Sequence, residues 1–344
     1  MQRSLLRSLL LLLLLAGGVA AFVYWRYVAK TAVPRGLDDY HLLVPTGANF
    51  DQVTDSLLAK GFIRDAAAFR VIAEQMKYKR DPMRAGRYKL APGMSLIQMV
   101  RHLRSGEQAP VNVVLTNERL PENVAAKIAR FIEPDSAQIY VLFSDPEYLQ
   151  SIGYTPETFM SLFIPNTYQV YWNSTPEQFT ERMVKEHKAF WDKENRLEKA
   201  RRLDMTPEEV YTLASIVDRE TLQRSEQPTI AGAYLNRLKI NMPLQADPTC
   251  VFATRDFETK RVTEYHTKFD SPYNTYMYAG LPPGPIGMAS ISGIDAVLNH
   301  QKHNYIFFCA VGDESGLHAF AETYSQHLVN VDRYRKKLQE RGLR

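Results

Sequence analysis

The sequence predicts an α+β protein in which an apolar N-terminal segment precedes a small α+β module and a larger α+β region. Three observations support this prediction: an uncharged run near the N-terminus, alternating strand and helix patterns after it, and a second series of helices ending near a strand. The 344 residues suffice for two or three domains of about 100–200 residues each. The predicted divisions are a transmembrane segment over 1–30, a linker over 31–39, a module over 40–116, a connecting helical segment over 117–159 and a main domain over 160–344.

The composition predicts a folded protein that does not bind nucleic acid. Hydrophobic residues make up 45% of the chain and aromatic residues 11%, enough for a sizeable core. The net charge of +4 falls short of the dense basic stripe that nucleic-acid binders present. Neither Cys250 nor Cys309 belongs to a C-x-x-C pair, so one disulfide and two isolated buried thiols both remain open.

The N-terminus reads as a signal-anchor. Arg3 and Arg7 precede an uncharged run over 8–25, which at about 1.5 Å per residue can just span a hydrocarbon core of about 30 Å. The leucine run over 9–15 also fits the core of a cleaved signal peptide. An uncleaved helix is favoured because the apolar run continues to Trp25. This predicts a single-pass protein of the inner (plasma) membrane, with its body on the extracytoplasmic side.

The module over 40–116 mixes strands and helices. A short strand is predicted over 41–44, and apolar residues at helical spacing from Phe50 stop at Gly61. A strand, a Pro-Gly turn and a helix ended by Gly106 follow. The β-branched run VNVVLT then predicts another strand.

The rest of the chain is mainly helical. Thr206, Pro207 and Glu209 form a helix start, because the threonine can cap the helix and the glutamate can bond back to it. The segment YIFFCAV predicts a buried strand. Helices are predicted over 121–150, 176–202, 207–222, 228–240 and 321–341, with a short one at GIDAVLNH.

Two acids in the stretch LASIVDRET are candidates for acid–base chemistry. At 100° per residue, the apolar stripe that begins at Val210 faces the core. Asp218 lies about 80° to one side of this stripe and Glu220 about 80° to the other. Helix geometry therefore does not choose between them, and both also fit ordinary surface carboxylates.

Two later stretches, LNRLKINMPLQADPT and SPYNTYMYAGLPPGPI, carry amide, acid and aromatic side chains suited to binding sugars. Pro248 biases the residue before it toward extended angles, although Asp-Pro also begins turns. The candidates for the wall of a cleft are Asn236, Gln245, Asp247, Tyr273 and Asn274.

No metal or cofactor is predicted. The pair His300 and His303 lacks the glutamate of an H-E-x-x-H motif, and the predicted strand interrupts its helix. The chain contains no P-loop, no G-x-G-x-x-G and no G-x-S-x-G.

Four blocks in order, LASIVDRET, YLNRLKINMPLQADPT, SPYNTYMYAGLPPGPI and HAFAETYSQH, resemble the endolytic murein transglycosylases of the YceG-like family. The resemblance implies a membrane-anchored lyase that cuts the MurNAc–GlcNAc β-1,4 bond of nascent peptidoglycan glycan strands and leaves 1,6-anhydro-MurNAc ends. It implies a LysM-like module over 40–116, a YceG-like catalytic domain over 160–344, one carboxyl acting first as acid and then as base, and peptidoglycan synthases as candidate partners.

One departure from the family concerns the acid itself. The family's catalytic glutamate aligns with Asp218, whose carboxyl ends one carbon–carbon bond, about 1.5 Å, short of a glutamate's. Three hypotheses follow in order of preference: Asp218 acts from a shifted helix, Glu220 has taken over, or activity is weak and glycan binding dominates. The functional alternative is a weakly active or inactive peptidoglycan-binding scaffold for cell-wall synthases.

Overall fold

The computed structural model describes residues 2–25 and 32–342. The flanks of the predicted anchor, the first linker residue and the last two residues of the basic C-terminus lie outside this part of the chain. The chain forms two compact units. The smaller holds the chain up to residue 112 with 131–133 and 169–175, and the larger holds 113–130, 134–168 and 176 onward.

The smaller unit pairs two strands in a sheet and packs helices around a core. Its elements are α1 (Gln2–Tyr24), β1 (His41–Val44), α2 (Phe50–Ala59), α3 (Ala66–Gln75), β2 (Gly86–Lys89) and α4 (Leu96–Ser105). β1 and β2 are antiparallel, with His41 opposite Lys89. The strand predicted over 41–44 is confirmed, and so is the helix stop at Gly106, which has the left-handed φ of 77° that glycine tolerates.

Helix α1 covers the apolar N-terminal segment. The leucines at positions 9–15 are solvent-exposed, from 61% at Leu9 to 69% at Leu15. Within the part of the chain that the structure describes, no helix has both the length and the apolar character needed to cross a membrane. The transmembrane helix predicted over 1–30 is therefore not confirmed.

The remaining elements run from a third strand to the C-terminal helix. β3 pairs with β4, and β5 pairs with β6, each in a sheet of two strands. The elements are β3 (Val111–Leu115), α5 (Pro121–Ile128), α6 (Ser136–Phe143), α7 (Pro146–Ser151), a 3-10 turn (Phe159–Leu162), β4 (Asn166–Val170), α8 (Pro176–Asp192), α9 (Arg196–Arg202), α10 (Pro207–Glu220), α11 (Gln227–Lys239), α12 (Asp247–Thr254), α13 (Glu264–Thr267), α14 (Ile291–Leu298), β5 (Phe307–Ala310), β6 (His318–Ala321) and α15 (Tyr324–Glu340).

The prediction of one long helix over 176–202 is wrong, because a short non-helical segment separates α8 from α9. Glu194 and Asn195 both have φ of 56°, which ends the helix. The break brings Arg196 into the interior, only 4% exposed. Its guanidinium pairs with Asp295 at 2.9 Å and lies 4.1 Å from the centre of the Phe190 ring. Because the partner of Arg196 lies far along the chain, no periodic pattern near residue 196 predicts this interruption of the helix.

Helix α10 begins and packs as predicted. Thr206 and Glu209 form a reciprocal capping box. The predicted stripe is buried, with Val210, Leu213 and Val217 each 0% exposed. The helix ends at Glu220, because Thr221 turns to an extended φ of −142°. Because the helix is capped at its start and packed along its buried stripe, the two acids of its last turn, Asp218 and Glu220, have defined positions.

The predicted buried strand is β5, and it is only partly buried because its two-stranded sheet leaves one edge unpaired. Cys309 on this strand and Cys250 on α12 are both free thiols. Of the two interpretations of the cysteines, the structure therefore has isolated thiols.

Candidate active site

A cavity of about 330 Å³ opens in the larger unit beside the end of α10. Two acidic residues line it, Glu220 and Asp247. Two arginines, Arg119 and Arg219, line it as well. Apolar and aromatic side chains complete the wall: Pro248, Val251, Phe252, Phe257 and Ile286.

Glu220 is a partly buried acid held by one hydrogen bond. The hydroxyl of Tyr234 on α11 donates to its Oε2 at 3.0 Å. Burial raises the pKa of Glu220 above its ordinary value, and the negative charge of Asp247 raises it further against the opposing effects of Tyr234, His318 and Arg237. Glu220 therefore keeps its proton to higher pH than a free glutamate, as a general acid requires.

Asp247 supplies the second carboxylate of the cavity. It is the first residue of α12, and Tyr276 donates its hydroxyl to Oδ1 at 2.5 Å. The prediction that Pro248 holds Asp247 extended is wrong. Proline fits the first turn of a helix, where its missing N–H would have no partner, so the helix starts at the aspartate itself.

Asp218 lies on the same helix but bonds to the protein instead. Ser290 donates from its backbone N to Oδ2 at 2.5 Å and from its hydroxyl to Oδ1 at 2.8 Å, and Gln227 donates to Oδ1 at 3.0 Å. Ser290 is the N-cap of α14, so Asp218 ties α10 to the start of that helix. Burial raises the pKa of Asp218, while these hydrogen bonds lower it. Asp218 does not line the cavity.

Close packing around Asp218 leaves it little freedom. A Cβ at Gly293 would lie 2.5 Å from Oδ1 of Asp218, so only glycine permits this approach of the two helices. The shifted helix that the first hypothesis requires would break this packing.

The other predicted wall residues divide between structural and peripheral positions. Asn236 donates to the backbone oxygens of His303 at 2.7 Å and Tyr305 at 3.1 Å. Asn274 is fully buried and donates to three backbone oxygens of the 266–269 turn, the shortest bond being 2.8 Å to Phe269. Both side-chain amides therefore stabilise the backbone of neighbouring segments, 303–305 for Asn236 and 266–269 for Asn274.

Tyr273 and Gln245 lie nearer the cavity. The Tyr273 ring packs 4.9 Å from that of Phe252, which lines the cavity. Gln245 is exposed with a left-handed φ of 48°, two residues before Asp247. Of all the predicted site residues, Glu220 and Asp247 line the cavity itself.

Sequence reasoning missed the two arginines. Arg119 lies in the stretch TNERLPE, which matches no motif, and joins the site only through the fold. Arg219 lies between the two acids on the outer face of α10, and its Nη2 donates to Oδ1 of Asn117 at 2.9 Å. The position of Arg219 away from the core stripe was the available signal.

Among residues 2–25 and 32–342, no group of three or more His, Cys, Asp and Glu side chains is placed to bind a metal ion. His303 instead contacts the backbone oxygen of Thr229 at 2.9 Å.

A partly buried carboxyl with a raised pKa in an open cavity is typical of acid–base enzymes. The chain belongs to the YceG-like family, whose model matches residues 42–333. The resemblance inferred from four sequence blocks is thus confirmed.

Similar proteins agree with this assignment. The chain is 26% identical to a Bacillus subtilis protein named endolytic murein transglycosylase, over 93% of this chain and 91% of that protein. A Streptococcus pneumoniae protein of the same name is 25% identical over 93% of this chain but 63% of its own length. A crystal structure of a YceG-like protein from Listeria monocytogenes matches with a TM-score of 0.56 and 26% identity, over 84% of this chain and 98% of that one.

Proposed function

We propose that the protein is an endolytic murein transglycosylase that cuts MurNAc–GlcNAc β-1,4 bonds within glycan strands and leaves 1,6-anhydro-MurNAc ends. The observation that carries this proposal is the Glu220 carboxyl, which lines an open cavity with a raised pKa. The relatives named endolytic murein transglycosylase support murein as the substrate and internal transglycosylation as the reaction. The reaction needs one carboxyl, in contrast to the two flanking acids of most glycosidases.

Glu220 serves both halves of the reaction. Its protonated carboxyl donates to the glycosidic oxygen as the bond from C1 to that oxygen breaks, and the GlcNAc hydroxyl leaves. The resulting carboxylate accepts the proton of the C6 hydroxyl as O6 bonds to C1. The proton lost in the first half is regained in the second, so the carboxyl is regenerated without water.

The assignment favours Glu220 over Asp218. Both acids are partly buried with raised pKa values, but Asp218 accepts three hydrogen bonds from Ser290 and Gln227. Glu220 accepts one from Tyr234 and lines the cavity. A carboxyl that reaches substrate and retains an unoccupied oxygen is the better proton carrier.

Asp247 and its neighbours contact the sugars. The Asp247 carboxylate faces the same cavity as Glu220, and the Tyr276 hydroxyl fixes its position. A fixed negative charge stabilises the positive charge that develops on the sugar ring as the bond breaks. Phe252, packed by Tyr273, offers an aromatic face to a sugar ring.

A product assay tests the function against a scaffold that only binds glycan and cell-wall synthases. The full chain is incubated with uncrosslinked glycan strands, and the products are examined by mass spectrometry. Cleavage within the strands is expected to give shorter products that carry 1,6-anhydro-MurNAc ends. Strands that remain intact while still binding the protein would support the scaffold and reject the enzyme.

We also propose that the smaller unit holds glycan as a LysM-like module. Its strand–helix–helix–strand order, from β1 through α2 and α3 to β2, supports this role. A chain without residues 40–105 is expected to bind long strands more weakly, measured by co-sedimentation with murein. Unchanged binding would reject the role.

We further propose that the N-terminal segment attaches the protein to the extracytoplasmic face of the inner membrane, where murein is made. The exposed leucines of α1, such as Leu11 at 67%, support attachment because apolar surface of this kind favours lipid over water. The full chain should sediment with membranes, and a chain lacking the first 31 residues should not. Sedimentation of both would place the attachment elsewhere.

A further inference from the structure

Two arginines of the cavity have no acidic partner. Arg119 lies with its guanidinium 4.6 Å from the centre of the Phe257 ring, a cation–π contact. Arg219 donates to the neutral amide of Asn117 at 2.9 Å. Among the described residues, neither guanidinium has a carboxylate oxygen within the 4.0 Å of an ion pair. Their positive charges are therefore not compensated by direct contacts.

The two charges act on each other. Burial lowers the pKa of Arg219 and the like charge of Arg119 lowers it further, against the opposing effect of the Asp218 charge. Gly287 packs closely against both residues, because a Cβ there would lie 3.2 Å from Nη2 of Arg219 and 3.4 Å from the backbone Cα of Arg119. Holding two cations close together costs free energy unless an anion lies between them.

Each carboxyl of the same cavity accepts a hydrogen bond from a tyrosine and forms no ion pair with either arginine. Glu220 accepts from Tyr234, and Asp247 accepts from Tyr276. Because the pKa of Glu220 is raised, its protonated form also leaves the cavity less negative. Among the described residues, the two guanidiniums therefore retain donors that no carboxylate occupies.

We propose that Arg119 and Arg219 bind a carboxylate of the glycan substrate beside the bond that is cut. This inference rests on the proposed function. MurNAc carries a lactyl group whose carboxyl is free in denuded strands and is linked to a stem peptide, with carboxylates of its own, in intact strands. The planar guanidinium matches a carboxylate with paired hydrogen bonds, which a neutral sugar does not offer.

Four substrates test the proposal with the full chain. Denuded strands and peptide-bearing strands are each used as they are and after conversion of their carboxyls to neutral methylamides. The wild type should cut at least one charged form about tenfold or more faster, in kcat/KM, than its neutral counterpart, as expected for one charge-assisted hydrogen bond. Preference for charged denuded strands identifies the lactyl carboxylate, and preference for charged peptide-bearing strands identifies the peptide.

The variants Arg119→Gln and Arg219→Gln should lose that preference, because their kcat/KM should fall by a larger factor on charged strands than on neutral strands. Arg202→Gln is the matched control, because Arg202 on α9 is exposed and pairs with Glu198 at 3.2 Å, outside this cavity. It should retain the preference.

Two results would overturn the proposal: equal cutting of charged and neutral strands by the wild type, or equal loss on both by the two variants. Binding of strands to Glu220→Gln, measured by calorimetry, gives a second readout that does not need catalysis. If no strand is cut, the proposed function fails. In that case the carboxylate site is supported if charged strands bind Glu220→Gln more tightly than neutral strands, and it is rejected if the two bind equally.

Discussion

The two carboxylates of the last turn of α10 lie two residues apart and differ in what surrounds them. Both are partly buried, and burial raises the pKa of both. Asp218 accepts three hydrogen bonds and joins α14, whereas Glu220 accepts one and lines a cavity. The pKa is thus raised at both acids, and the difference between them is that Glu220 lines the cavity and Asp218 does not.

The largest expected effect is on activity at Glu220. Glu220→Gln keeps the shape and can still accept from Tyr234, but cannot transfer a proton. We expect a loss of about 100- to 10,000-fold in the rate of anhydro-end formation, the range typical of general acid–base groups. The rate is measured by mass spectrometry of released glycans, with unchanged strand binding as the control. Full activity would return the role to Asp218.

The next effect is on stability at Asp218. Asp218→Asn replaces one of the two accepting oxygens by an amide N–H, so the donors from Ser290 or Gln227 that faced that oxygen lose their acceptor. We expect the free energy of unfolding to fall by about 1–3 kcal/mol. The measurement is urea denaturation, with activity per folded molecule remaining within about tenfold of wild type.

A double variant sharpens this result. Ser290→Ala removes the hydroxyl that donates to Asp218 and leaves the backbone N–H in place, so combining it with Asp218→Asn should cost less than the sum of the two single changes. An Asp218→Asn protein of normal stability but no activity would show that Asp218, and not Glu220, transfers the proton.

The dependence of stability on pH gives a third, smaller effect. The folded pKa of Glu220 lies above its ordinary value of 4.5, so ionising it in the folded state costs free energy that is absent in the unfolded chain. This cost is absent below the unfolded pKa and develops as pH rises through the folded pKa. Glu220→Gln should therefore be more stable than wild type at pH 7 and equal to it near pH 4. Calorimetric melting at both pH values tests this, and a stability gain that persists at pH 4 would assign it to packing.

The smallest effect is expected at Tyr234. Its hydrogen bond lowers the pKa of Glu220, so Tyr234→Phe should raise that pKa and move the alkaline limb of the rate profile to higher pH, by about one unit or less. Tyr276→Phe is the matched control, because its hydroxyl contacts Asp247. A shift toward lower pH would contradict the assignment of Glu220 as the acid.

Local signals in the sequence predicted much of the fold. The capping box at Thr206 and the glycine stop at Gly106 are local, and both are confirmed. The break before Arg196 depends on Asp295, far along the chain, and no local pattern reports such a partner.

The site followed the same rule. Helical periodicity correctly placed Asp218 and Glu220 on opposite sides of the α10 core stripe, and they indeed meet different neighbours. The choice between them depended on Ser290 and Tyr234, which approach from other helices. Arg119 reaches the cavity only through tertiary folding, so no spacing in its own segment could have predicted it.

The end of α10 at Glu220 has a further electrostatic consequence. A helix carries partial negative charge at its C-terminus, where its last carbonyls lack partners within the helix, and the acids Glu208 and Glu209 occupy the opposite, favourable end. A carboxylate formed at Glu220 is repelled by this dipole. The same backbone that positions the acid thus disfavours its ionised form, which in the proposed reaction would make the carboxylate a stronger base for the proton of the C6 hydroxyl.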